Sequence, residues 1–232
     1  MKQLARFLFV IALVLAAPAL KLYAQSTFEG TITWSMTLPM MGDDEKHSMI
    51  VNVKGDKSET EVDMGAMGTF KSYVDKATNK SYIVVGPKMG YTMDLKNDSG
   101  SSSGPALDLK PTGKTKTIAG YAAQEYLLKG MEGIDQMSLW VSPDVPKELR
   151  EGFHNSFGSN QRADPKQNQA INQLIDKGLT PVGVDAQKDG ELAMSMELVK
   201  FEKKPLDDAL FVPPADIKFQ PMPQMGGHGG MN

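Results

Sequence analysis

Six methionines fall on alternating apolar positions of segments that read as strands: Met36, Met49, Met93, Met137, Met194 and Met196. A thioether side chain is unbranched and polarizable. It fills irregular gaps in a core, and it also lines surfaces that adapt to a flexible apolar guest. Two readings of the set stay open: ordinary core packing, and the lining of a groove for a lipid or other apolar small molecule. The chain has 16 methionines against 9 phenylalanines and 2 tryptophans, so methionine is a main carrier of its apolar surface. A second set lies in the C-terminal PMPQMGGHGGM, where Met222, Met225, His228 and Met231 recur every three residues. Thioethers with one imidazole suit a soft monovalent ion such as Cu(I). Glycine spacing gives no preorganised geometry, so the competing reading is a disordered tail over 220–232.

Other chemistry-bearing patterns are weak. Gly100-Ser101-Ser102-Ser103-Gly104 matches the G-x-S-x-G nucleophile pattern but lies in low-complexity polar sequence, without the strand and helix that pattern needs. Gly113-Lys114-Thr115 resembles the end of a phosphate loop, yet Asp108 stands where a glycine is required. The three histidines, His47, His154 and His228, sit in unrelated segments. None has a second histidine or a carboxylate at helical ligand spacing, apart from the loose group Asp43-Asp44-Glu45 before His47. Asp207 and Asp208 read as a solvated turn or helix start, and no carboxylate pair stands out for acid–base work. These observations point to a non-enzymatic protein with no resident cofactor.

The N-terminus bounds where the protein works. Lys2 and Arg6 precede the apolar run FLFVIALVLAAPAL, and Leu22-Tyr23-Ala24 offers a small residue before a cut. That is the layout of a secretory signal peptide over 1–24, cleaved near Ala24. The expected product is soluble, in the periplasm or outside the cell, with no transmembrane anchor. There is no cysteine. A disulfide framework, thiolate metal sites, thiol catalysis and a lipid-modified cysteine are therefore excluded. Cleavage would remove Lys2, Arg6 and Lys21, taking the 25 basic residues to 22 against 28 acidic ones. A mildly acidic chain without a basic stripe does not bind nucleic acid by charge.

The elements that must position the methionines are mainly strands. FEGTITWSM puts Phe28, Ile32, Trp34 and Met36 on one face, and Met49, Val51 and Val53 repeat the period of two. Gly55-Asp56 and Lys188-Asp189-Gly190 read as hairpin turns. In IDQMSLWVS, Met137, Leu139 and Val141 face one way and Trp140 the other. Asn97 to Lys114 is small, polar and rich in Gly and Pro, and is expected to form a long internal loop over 97–114. Between Pro143 and Gly178 the period changes. Val145, Leu149, Phe153 and Phe157 predict one helix, and Asp164-Pro165 opens a second with the stripe Ala170, Ile171, Leu174 and Ile175. PLDDALFVPP reads as a short helical turn. The expected fold is α+β and mainly β: a curved antiparallel sheet, a half-barrel, whose concave face is covered by two or three short helices. One domain should span 25–219.

Several phrases carry a family resemblance. KTIAGYAAQEY, LWVSPDVP, GLTPVGV and FEKKPLDDALFVPP, with Gly120, Tyr121, Trp140, Phe211 and Pro214 at their landmarks, resemble the exported bacterial family catalogued as domain of unknown function 4412. The resemblance runs from about Phe28 to Phe219. By layout that family is similar to the periplasmic lipoprotein carriers LolA and LolB, whose half-barrel holds acyl chains against a helical lid. No arginine can be placed inside the barrel here, so the resemblance implies a fold and a compartment rather than an activity. The functional expectation is a binding or carrier module for a lipid or other apolar ligand. The alternatives are a soft-metal (copper or silver) protein using its methionines and a purely structural or interaction domain.

Overall fold

The computed structural model describes residues 28–39, 43–65, 68–86, 88–95, 108–130, 133–154 and 165–222. The expected signal peptide over 1–24, residues 97–107 of the expected loop, Phe157, and Met225, His228 and Met231 lie outside these residues.

Twelve strands form one sheet that curves without closing. In chain order they are β1 (Glu29–Leu38), β2 (Asp43–Lys54), β3 (Lys57–Asp63), β4 (Thr69–Asp75), β5 (Lys80–Val85), β6 (Met89–Asp94), β7 (Asp108–Ile118), β8 (Tyr121–Lys129), β9 (Gln136–Ser142), β10 (Thr180–Lys188), β11 (Glu191–Lys203) and β12 (Phe219–Pro221). Their spatial order is β12-β6-β5-β4-β3-β2-β1-β11-β10-β9-β8-β7. Two meanders, β1–β6 and β7–β11, therefore meet where β1 pairs with β11. Only the short β12 runs parallel to its neighbour. The tight turns follow from residues that accept positive φ: Gly55 between β2 and β3, and Asp189-Gly190 between β10 and β11.

The helices α1 (Lys147–Phe153) and α2 (Pro165–Asp176) pack on one face of this sheet. Gly152 of α1 lies against Phe28 and Ile32, where a Cβ would stand 2.7 Å from the Phe28 ring. Phe153 meets Trp34 with ring centroids 6.3 Å apart. Ala170 and Leu174 of α2 pack with Leu128, Met137, Leu139 and Val141 from β8 and β9. Ile171 joins the larger cluster around Phe28, Ile32, Trp34 and Leu149. Gly178, at φ +77, ends α2.

The C-terminal segment crosses the opposite face. Leu206 N–H donates to Glu29 Oε1 at 2.7 Å, and Lys54 Nζ donates to the Leu206 carbonyl at 2.8 Å. A 3-10 turn over Asp208–Phe211 is capped by Asp207, whose side chain accepts from the Ala209 N–H, and buries Phe211. Phe219 then lies over Gly90 and edge-on to Tyr82, with centroids 5.2 Å apart.

Two expected boundaries are corrected. The loop expected over 97–114 gives way to strand at Asp108, because β7 accommodates Pro111 and Gly113 at a register shift between Pro111 and Thr115 on the sheet edge. The tail expected to begin at 220 is still strand through Pro221. Phe219 anchors it, and the Met222 N–H donates to the Thr92 carbonyl at 3.0 Å.

Candidate functional site

Register decides which side chains share the helix-covered face. One row crosses the sheet as Leu198, Trp34, Met49, Val62, Phe70, Val85 and Met89. The next row toward the β1–β2 turn pairs Leu139 with Val184, Val184 with Met196, Met196 with Met36, and Met36 with His47. Met137 pairs with Ala186 and Ala186 with Met194. Met93 joins the same face through Ser81, Val74, Ser58 and Val53. All six strand methionines thus lie on one face of the sheet. Their surroundings differ. Met36, Met49 and Met137 are buried, whereas Met93, Met194 and Met196 are partly exposed.

The same face continues past the helices. On β4 to β6, Phe70, Ile83, Val85, Tyr91 and Met93 are partly exposed on it, interleaved with Ser72 and Ser81. Met89 at its edge is 55% exposed. On the other meander Val184, Met194 and Met196 are also partly exposed, and they pack at the margin of the helix-covered clusters. Adaptable thioethers and aromatic rings interact with an apolar group by dispersion and burial rather than by directed bonds.

Two buried positions near this face were not read as part of it from the sequence. His47 is buried opposite Met36, and Met64, just after β3, is also buried. The alternation of β2 extended back from Met49 would have placed His47. Met64 falls where a Gly-rich turn hides the end of the strand.

The polar clusters lie on the opposite face. Glu125 is buried, accepts from Thr112 Oγ1 at 2.6 Å and Ser138 Oγ at 2.7 Å, and pairs with Lys114 at 3.3 Å. Burial raises its pKa, but those hydrogen bonds and the lysine outweigh it and hold the carboxyl below the usual glutamate range. Glu59 is also buried and its pKa is raised, chiefly by burial, despite one hydrogen bond from Asn52 at 2.8 Å. Asp185 accepts from Trp140 Nε1 at 2.7 Å and Ser195 Oγ at 2.6 Å, while Lys116 stands 4.2 Å over the Trp140 ring. In each cluster the carboxylate oxygens are engaged by neighbours, an arrangement that fixes strands to one another. Among the described residues, no group of three His, Cys, Asp or Glu side chains is placed to hold a metal. Of the C-terminal set, Met222 is bound to the sheet edge by its backbone, away from His47.

Comparison with known proteins gives a family and no activity. No curated protein matches the chain significantly. A solved structure of PNGF-II is similar over 84% of this chain at 15% identity and a TM-score of 0.45. The chain spans about a third of that protein's length, 31%. A Vibrio parahaemolyticus domain named for outer membrane lipoprotein sorting is similar over 79% of this chain and 89% of its own, at 10% identity and a TM-score of 0.32. Neither likeness is close enough to carry an argument. The family match covers residues 28–217, nearly the whole of the described fold. The chain belongs to the DUF4412 family, a domain of unknown function.

Proposed function

We propose that this protein is a non-enzymatic binding or carrier module that holds a lipid or other apolar small molecule on the helix-covered face of its sheet. One observation carries the reading. Apolar side chains of that face stay partly exposed on both meanders, Phe70, Val85 and Met93 on one and Met194 and Met196, at the margin of the helix-packed clusters, on the other. Soluble domains seldom leave contiguous apolar surface of this kind without a use for it. The signal-like N-terminus supports work in the cell envelope after cleavage near Ala24. No described helix is long and apolar enough to cross a membrane.

An environment-sensitive dye or a fluorescent fatty acid tests this. The purified protein should bind the probe in its native state at micromolar concentration. Met194→Asp with Met196→Asp should abolish binding, because a carboxylate would have to be desolvated under the ligand. Met194→Leu with Met196→Leu should retain it. A wild-type protein that binds no probe, or an Asp pair that binds as well as wild type while still folded, would overturn the reading.

A further inference from the structure

We infer that Met36, His47 and Met64, with Met196 beside them, form a buried site for a soft monovalent metal ion, Cu(I) or Ag(I). The site shares Met196 with the apolar-ligand face but rests on its own register and burial. Met196 on β11 pairs with Met36 on β1, and Met36 pairs with His47 on β2. The β2–β3 ladder ends at Met49 and Val62, and Met64 follows two residues past Val62, its N–H donating to the Gly68 carbonyl at 3.0 Å. A Cβ on neighbouring Gly65 would lie 3.7 Å from His47 Cε1, which places that end of β3 against the imidazole. Met196, Met36 and His47 therefore stand in one row across three adjacent strands, and Met64 follows the end of the fourth. Paired residues on adjacent strands have Cα atoms about 5 Å apart, within which a flexible methionine can bring its sulfur to a neighbour's ring nitrogen.

The chemistry of this row is specific. Met36 is 9% exposed, His47 7% and Met64 8%. A divalent ion held here by neutral ligands would keep its full charge in a poorly solvated place. A monovalent soft ion carries less charge and prefers thioether and imidazole donors. Ligation uses one ring nitrogen of His47 and leaves the other for a hydrogen bond, the usual arrangement of a metal-bound histidine. The β1–β2 ladder is also irregular at this point, with a register shift between Met36 and Leu38. Bulges of this kind re-aim side chains and concentrate beside functional sites.

Titration of Ag(I) into the purified protein tests the assignment, with Zn(II), a borderline divalent ion that thioethers bind poorly, as the control. The first equivalent of Ag(I) should shift the His47 ring resonances and raise the thermal midpoint. Zn(II) should do neither. Met36→Leu with Met64→Leu keeps the apolar volume and should weaken Ag(I) binding at least tenfold. His47→Gln should do the same. A chain ending at Pro221 lacks Met222, Met225, His228 and Met231 and should bind as wild type does. The inference is overturned if the first equivalent leaves the His47 ring unmoved in wild type. It is equally overturned if the Met36/Met64 variant binds as tightly as wild type, or if binding disappears with the C-terminal residues alone.

Discussion

At the scale of single residues, two buried glutamates on the same sheet face should respond oppositely to pH. Glu125 has its carboxyl held below the usual range by three donors. A depressed folded pKa stabilises the fold above the unfolded-state pKa, and that stability is lost as pH falls through the folded value. Glu59 is raised by burial, so its ionisation costs the fold stability as pH rises through the glutamate range. Glu125→Gln should therefore destabilise at neutral pH by about 1 to 3 kcal/mol, the worth of hydrogen bonds to a charged group, and the loss should shrink in acid. Glu59→Gln should be neutral or stabilising at neutral pH, since the Asn52 donor keeps an acceptor. Urea unfolding at pH 7 and pH 3.5 checks both, and equal behaviour of the two variants would contradict the account. Neither glutamate stood out in the sequence. Glu125 looks like any polar residue of an alternating strand, because Thr112, Lys114 and Ser138 reach it only through strand pairing.

At the scale of elements, α2 is the cover over β8 to β10. Leu174 is fully buried there against Leu128, Leu139 and Val141. Leu174→Ala should cost about 2 to 5 kcal/mol, the transfer loss plus the cavity left behind. It should also weaken binding of the fluorescent fatty acid if α2 covers part of the ligand. Thermal unfolding and probe titration on one sample separate the two effects. The elements whose local chemistry agrees with their final place were legible in the sequence. Alternation in FEGTITWSM and MSLWVS set the strand faces, and the Ala170, Ile171, Leu174, Ile175 stripe set the helix face. The first part of strand β7, Asp108 to Lys114, was hidden because Pro111 and Gly113 read as breakers. Only an edge position with a register shift lets them sit in a ladder. Strand β12 was hidden for a related reason. Three residues carry no period, and it is the docking of Phe219 over Gly90 that makes them a strand.

At the scale of the whole molecule, one continuous sheet separates two kinds of surface. The polar clusters of Glu59, Glu125 and Asp185 tie strands together on one face, where the C-terminal segment also crosses. The other face collects all six strand methionines and carries both helices. The alternation predicted that the methionines would fall in step along their strands. It could not bring β6 and β11 onto one face, since that depends on the order in which two meanders join through β1 and β11. The central claim is that this face holds an apolar ligand. Native mass spectrometry of the protein purified from its own cell envelope tests that most directly. The account predicts a discrete adduct that organic extraction releases as an apolar molecule, and that is absent from folded Met194→Asp/Met196→Asp protein prepared in parallel. Wild-type protein that carries no adduct and takes up none when fatty acid or phospholipid is supplied would contradict it.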